Sequence, residues 1–181
     1  MNINQSLNRY YKQYMKTLNQ YIQEKLIINK DYRDVKMLIP KSFDELRKII
    51  EDRYDKLGAG TKQDPIDFND IDVSNIDSFC NDKGKGIFGH TKFKYIDISD
   101  WDVSNVTDMS YMFFACEELE SVGDLSNWDV SKVINMSFMF YDCKELESVG
   151  DISDWNVSNV RNKDIMFLYC PIKDEYKPKF K

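Results

Sequence analysis

Aspartates that recur at equal intervals are the residues of this sequence best placed to do chemistry. Three sets share repeat positions: Asp97, Asp124 and Asp151; Asp100, Asn127 and Asp154; and Asp72, Asp102, Asp129 and Asn156. If successive repeats stack, each set brings its side chains within ~5 Å of the next repeat. Carboxylates so close could bind calcium, but the glycine-rich calcium-binding nonapeptide is absent. Because Asp and Ser at turns accept backbone N–H groups, we predict turn capping, with no metal site and no cofactor.

The four cysteines show no metal-binding pattern. Cys116, Cys143 and Cys170 occupy one repeat position, and Cys80 lies outside it. No C-x-x-C pair is present, and a set of three thiols leaves one over under pairwise oxidation. We therefore predict buried free thiols that act as small apolar groups.

Catalytic residues are not indicated. His90 is the only histidine and lies in an irregular stretch, KGKGIFGHTKF, without a nucleophile motif. The adjacent acids Glu117 and Glu118 could form a glycosidase pair, but such neighbours on a repeated surface are typically solvent-facing. The sequence predicts a protein that is not an enzyme.

A 27-residue repeat organises the second half of the chain. Residues 101–116 read WDVSNVTDMSYMFFAC, residues 128–143 read WDVSKVINMSFMFYDC, and residues 155–170 read WNVSNVRNKDIMFLYC. Self-similarity at this period predicts stacked repeats that share one core. We expect the tryptophans at 101, 128 and 155 to form one column, and the phenylalanines at 113, 140 and 167 another.

Apolar residues recur at about every third position within each repeat. This period matches neither a long helix nor a half-buried strand, and it indicates a chain that winds through short strands, tight turns and single helical turns around one core. The segments LESVGDL at 119–125 and LESVGDI at 146–152 have roughly the spacing of the strand in a leucine-rich repeat. We therefore expect an α+β fold: a short leucine-rich-repeat-like solenoid of about four coils with an N-terminal helical cap.

The repeats resemble the BspA-like leucine-rich repeat surface-protein family. The shared pattern is Trp-Asp-Val-Ser-Asn-Val, then Met, Met-Phe, Cys and Leu, and the units that begin at Trp101 and Trp128 match it at most positions. The unit from Trp155 departs at Lys163, where the pattern has Met, and a degenerate unit begins at Ile71. The resemblance covers about residues 66–170. It implies a surface, adhesion or phage-encoded protein.

The sequence divides into three parts: residues 1–60, a helical region; residues 61–170, the repeats; and residues 171–181, a C-terminal tail. Of the two helices in the first part, the second caps the repeats, and the first either packs along this cap or docks to a partner. We predict one helix from Ser6 to Leu26. We predict a second that begins at Ser42, where Glu45 completes a capping box, and stops near Gly58.

Charge and hydropathy exclude two classes of partner. The chain carries a formal net charge of −6, of which residues 61–181 contribute 13 Lys/Arg and 23 Asp/Glu. Nucleic-acid binding is not indicated, because phosphate contacts demand clustered Lys and Arg. No apolar run approaches the roughly 18 residues that span a bilayer. The polar N-terminus shows no signal peptide, and we expect a cytoplasmic or virion-associated protein.

Repeated acids and aromatic residues form the candidate binding surface. Glu120 and Asp124 recur as Glu147 and Asp151, and Tyr111 recurs as Phe138. We expect a non-catalytic recognition module that presents these residues to a protein or a glycan. The alternative is a structural component of a larger assembly such as a phage virion, docked through the N-terminal helix or the C-terminal coil. Oligomerisation through residues 1–30 is also expected.

Overall fold

The computed structural model describes residues 37–180, which belong to one compact unit. Its regular elements are helix α1 (Phe43–Leu57), strand β1 (Ile66–Asp67), strand β2 (Ile96–Asp97) and the 3-10 helix η1 (Asp174–Tyr176). Strands β1 and β2 are parallel. No helix within residues 37–180 is long and apolar enough to cross a membrane. The predicted helix from Ser6 to Leu26 and the oligomer contact through residues 1–30 lie outside the described residues.

Helix α1 begins and ends where the sequence predicts. The hydroxyl of Ser42 accepts a hydrogen bond from the Glu45 N–H at 3.3 Å and so caps the first turn. Gly58 adopts φ +76° beyond the last turn, and its N–H donates to the Tyr54 carbonyl at 2.7 Å. Because glycine adopts this conformation without a Cβ penalty, it ends the helix at low cost.

The side chain of Arg47 joins helix α1 to the first repeat. Its Nη1 donates to three backbone carbonyls, at 3.2, 2.7 and 3.3 Å: those of Gly86, Ile87 and Gly89. One guanidinium nitrogen therefore supplies hydrogen bonds to a glycine-rich loop that forms no regular strand. This contact also covers the carbonyls at the edge of the first repeat.

The predicted α+β solenoid of about four leucine-rich-repeat-like coils with a helical cap is wrong. Residues 37–180 contain one α-helix and two parallel strands of two residues each, and little other regular structure. The segments 119–125 and 146–152, which we expected to be repeat strands, form no strand. Only an isolated bridge joins Ser121 of the first segment to Tyr95.

Tight turns explain both the missing strands and the apolar period of three. Backbone N–H groups repeatedly donate to the carbonyl three residues earlier, as Val106 donates to Val103 at 2.9 Å. Both valines are buried, so a run of such turns places an apolar residue in the core at every third position. Gly123 and Gly150 have φ values of +85° and +83°, which a regular strand cannot contain.

Three equivalent segments, residues 108–115, 135–142 and 162–169, lie side by side and are called rungs below. Four N–H groups of the first rung donate to carbonyls of the second at 2.9–3.0 Å, and four of the second donate to the third at 2.8–3.0 Å. Isolated parallel bridges join Asp108 to Asn135 and Asn135 to Asn162. The 27-residue period is therefore a register of hydrogen bonds between rungs.

Equivalent aromatic rings stack in the core. Ring centroids are 5.4 and 5.5 Å apart along the series Phe113, Phe140 and Phe167. Trp128 stacks on Trp155 at 6.3 Å, while Trp101 stacks on Phe88 at 5.8 Å. The expected phenylalanine column is confirmed. The expected tryptophan column is confirmed as stacking only for Trp128 and Trp155, because Trp101 stacks on Phe88 of the degenerate first repeat.

The tail, residues 171–180, folds over the last repeat. The Ile152 N–H donates to the Tyr176 carbonyl at 3.2 Å, and Ile172 is buried. The Lys177 amine lies 5.2 Å from the ring centroid of Phe167, where the next ring of the phenylalanine column would stack. The tail thus covers the apolar core at this end.

Candidate functional site

An open concavity of about 600 Å³ lies beside strand β2. Five carboxylates and one amine are among its lining side chains: Asp97, Glu120, Asp124, Glu145, Glu147 and Lys62. Because the concavity is open, its field reaches solvent and attracts cations. Its charge makes it the candidate binding site of the described residues.

Three of the four predicted acidic residues line this concavity together. Glu120, Asp124 and Glu147 contribute to its surface, whereas Asp151 does not. Asp151 is exposed, and its Oδ1 accepts a hydrogen bond from the Ser153 N–H at 3.0 Å. The 27-residue register accounts for the shared placement of Glu120 and Glu147, and Asp124 follows Glu120 by four residues.

Two further acids of this site, Asp97 and Glu145, were not among the residues predicted to bind. Asp97 lies on β2, which pairs with β1 and so borders the concavity. Glu145 stands at the repeat position of Glu118, which we expected to face solvent. Asp97 shares the repeat position of Asp124, so the repeat alignment could have placed it in the binding site. It was not predicted to bind because turn capping alone explains an acid at that position.

Close packing between turns fixes the carboxylates of the concavity. A Cβ on Gly123 would lie 2.5 Å from Asp97 Oδ1, and a Cβ on Gly150 would overlap Asp124 Oδ1. Each glycine therefore lets its turn approach the carboxylate of the preceding repeat. The sequence phrase Ser-Val-Gly-Asp repeats because each such turn needs this space.

The electrostatics of Asp97 favour its charged form. Burial opposes ionisation, but the N–H and Oγ of Ser99 donate to its Oδ1 at 3.0 and 2.7 Å. These hydrogen bonds outweigh burial, so the pKa of Asp97 is lowered below its ordinary value. Tyr95 donates its hydroxyl to Glu120, and this bond raises the pKa of the tyrosine. Asp97 therefore keeps its negative charge at neutral pH.

Tyr111 and Phe138 form a second surface feature and do not line the concavity. Their rings stack at 4.8 Å with 8° between planes, and Phe114 stacks on Tyr141 at 5.1 Å. Each of these rings therefore uses one face on its partner.

Most of the repeated aspartates cap turns, as the sequence predicts, whereas within residues 37–180 the carboxylates of Asp100 and Asp154 accept no turn hydrogen bond. In each turn an Oδ1 accepts the N–H of the residue two positions on, at 2.9–3.0 Å: Asp72, Asp97, Asp102, Asp124, Asp129 and Asp151. Among the described residues, no group of three or more His, Cys, Asp or Glu side chains is arranged to hold a metal ion. The turn hydrogen bonds account for these carboxylates without an ion.

Thermal stability is therefore expected to be independent of divalent cations. Excess chelator should leave the melting temperature of the chain unchanged, because each turn carboxylate already accepts an N–H group. A melting curve with chelator, and a second after added calcium, measure this. A fall on chelation that calcium reverses would make Asp97, Asp124 and Asp151 metal ligands instead.

The repeated thiols are free and buried, as predicted. Cys116 donates to the Phe88 carbonyl, and Cys143 to the Phe113 carbonyl, each at 3.1 Å. Burial raises the pKa of Cys116 to about 11 and raises that of Cys143 as well. A thiolate is disfavoured at both positions, so these cysteines pack and hydrogen-bond between repeats.

His90 and the acidic pair have ordinary surface partners. The His90 ring lies 5.2 Å from that of Phe114, edge to face. Glu117 pairs with Lys144 at 2.6 Å, and Glu118 lies 3.7 Å from Lys94. Since the two acids bond to separate lysines, the geometry does not favour a shared catalytic role.

Residues 61–175 match a protein family described as "Mycoplasma protein of unknown function, DUF285". No curated protein and no solved structure matches the chain. The matched region contains the concavity, the rungs and all the residues predicted to bind. It covers more than half of the 181 residues, and the chain therefore belongs to the Mycoplasma protein family DUF285.

Proposed function

We propose that this chain is a non-catalytic recognition module that binds a basic protein segment in its acidic concavity. The proposal rests on one observation: five carboxylates and one amine line a single open concavity of about 600 Å³. The resemblance of the repeats to BspA-like surface proteins also supports a recognition role. A glycan partner is less well supported, because Tyr111 and Phe138, the predicted aromatic binding residues, do not line the concavity.

Charge is the main source of selectivity in this proposal. Acidic groups around an open concavity raise the local concentration of cationic segments and increase their association rate. The carboxylates are spread over successive repeats at the inter-repeat spacing. An extended segment with several Lys or Arg side chains therefore suits them better than one compact cation.

A charge-neutralising variant tests the proposal. The triple variant Glu120→Gln, Asp124→Asn and Glu147→Gln removes three charges from the concavity while keeping hydrogen-bonding side chains. With a synthetic peptide of alternating Lys and Gly as the probe, we expect association to slow about tenfold at low salt, and its salt dependence to flatten. Stopped-flow fluorescence of labelled peptide measures both.

The matched control removes three charges elsewhere. Asp72→Asn, Asp102→Asn and Asp129→Asn alter turn carboxylates outside the concavity, and Asn keeps an acceptor for each turn. Its association rate should stay within about twofold of the parent, since distant surface charges are screened. Equal slowing in both variants would show that only net charge matters and would contradict a specific site.

The structural alternative remains a separate proposal. A component of a larger assembly such as a virion would dock through residues 1–30, which lie outside the described residues. The tail folds over part of the last repeat, so docking through the C-terminal coil would use only the surface that the tail leaves exposed. If deletion of residues 1–30 abolished partner capture while the triple variant left it unchanged, the assembly role would replace the recognition role. A cytoplasmic or virion-associated location remains a prediction.

A further inference from the structure

The outer edge of the third rung, residues 162–169, carries backbone N–H groups that donate no hydrogen bond to any described residue. In each earlier rung, the equivalent N–H groups donate to carbonyls of the following rung. Within residues 37–180, the N–H groups of Ile165, Phe167 and Tyr169 donate to no protein acceptor. The carbonyls of Ile165 and Phe167 already accept N–H groups of the following turns. This edge therefore presents donors without matching acceptors.

Exposed apolar side chains flank these donors. Ile165 is 45% exposed, Leu168 42% and Tyr169 63%. Ile165 and Tyr169 keep φ values of +47° and +61°, like Phe138 and Asp142 of the second rung at +60° and +59°. Positive φ is strained for a β-branched residue, and such strain is concentrated at functional positions. The backbone of the third rung thus has the same conformation as that of the second rung, which donates hydrogen bonds to the rung that follows it.

The opposite end of the repeats offers no complement to this edge. There Arg47 donates to the Ile87 and Gly89 carbonyls, which correspond to those of Met112 and Phe114 in the first rung. A second copy therefore cannot add head to tail through these carbonyls. Two copies joined edge to edge would place N–H groups against N–H groups. The occupant of this edge must be a different segment that supplies carbonyl oxygens.

The charge of the repeats reverses at this edge. Residues 101–127 carry six Asp/Glu and no Lys/Arg, and residues 128–154 carry six Asp/Glu and two Lys/Arg. Residues 155–180 carry three Asp/Glu and five Lys/Arg, for a net charge of +2. A positive end attracts acidic segments and repels basic ones.

We propose that the open edge of the third rung binds an extended acidic segment of another protein. Its carbonyl oxygens would accept the N–H groups of Ile165, Phe167 and Tyr169, as the carbonyls of each following rung do in the earlier repeats. Main-chain hydrogen bonds supply affinity in this mode, and side-chain contacts supply selectivity. Leu168 and Tyr169 provide the apolar contact. This surface is separate from the acidic concavity, and its partner has the opposite charge.

A peptide with the sequence of residues 101–120, carrying Cys116→Ser, is a suitable probe, since it is acidic and contains a natural rung. Binding to the full chain should slow amide hydrogen exchange at Ile165, Phe167 and Tyr169 by at least about tenfold. Exchange at the paired amides of the second rung should not change. Two-dimensional NMR with the peptide in excess resolves both groups.

Two glutamate substitutions at exposed leucines separate the edge from a general charge effect. Leu168→Glu should weaken peptide binding about tenfold, because it removes an apolar contact and repels the acidic probe. Leu57→Glu, at a leucine of α1 that is 62% exposed, should leave binding unchanged. Equal losses in the two variants, or protection of amides outside the third rung, would overturn the proposal. So would protection of the same amides on raising the concentration of the chain alone, which would identify a second copy as the occupant.

Discussion

Replacing Met136 with Asp is expected to unfold the repeats. Met136 is fully buried, and its N–H donates to the Asn162 carbonyl at 2.8 Å, so it lies inside the stack of rungs. An unpaired carboxylate there loses its hydration without gaining a partner, and the free energy of unfolding should fall by about 4 kcal/mol or more. Circular dichroism during thermal melting measures the change.

Met136→Leu is the control for this prediction. It keeps the apolar character and nearly the volume of the side chain, and it should cost less than about 1.5 kcal/mol. If Met136→Asp melted within a degree or two of the parent, Met136 would not be a core residue. The stacking of rungs would then contribute little to stability.

Local signals in the sequence predicted helix α1 and most of the core. Ser42, Glu45 and Gly58 act within a few residues of one another, so their pattern is readable without tertiary information. The buried positions follow the 27-residue period, as Met136 repeats Met109 and Cys143 repeats Cys116. Repetition is itself tertiary information, because it states which residues occupy equivalent environments.

The same period led to the wrong fold class. An apolar residue at every third position suits short strands and also a run of tight turns, and composition does not separate the two. The difference lies in backbone conformation at Gly123 and Gly150, and at non-glycine residues such as Tyr111 and Phe138, which have positive φ. Because aromatic residues seldom adopt that conformation, no sequence rule predicts it there.

The candidate site was predictable in part for the same reason. Glu120 and Glu147 occupy one repeat position and Asp124 shares another with Asp97, so the shared surface of these acids follows from the repeat. Asp97 belongs to the site because it lies on β2, which pairs with β1, and Lys62 lies before the first clear repeat. The repeat pattern therefore does not predict that Lys62 contributes to the site. Asp151 shares the repeat position of Asp124 but lies outside the concavity. The repeat thus indicates equivalent positions, while the boundaries of the site depend on the irregular segments at its ends.

Replacing Gly86 with Ala is expected to separate the first rung from the loop that Arg47 holds. A Cβ on Gly86 would overlap the carbonyl group of Tyr111 and lie 2.9 Å from the Met112 nitrogen. All of these are backbone atoms, so no side-chain rotation relieves the clash. The loop must move, which breaks the hydrogen bond from Phe88 to the Met112 carbonyl. We expect a loss of roughly 3 kcal/mol or more in unfolding free energy by chemical denaturation.

Gly84→Ala, two residues earlier, is the matched control for the close approach. Gly84 has φ +72°, so alanine there incurs backbone strain of about 1 kcal/mol, yet a Cβ would meet no atom within 4 Å. A larger loss of unfolding free energy for Gly86→Ala than for Gly84→Ala would therefore show the cost of the clash between repeats, and not the cost of lost glycine flexibility. If the two variants were equally stable, the loop would yield freely, and the hydrogen bonds from Arg47 would not fix it against the first rung.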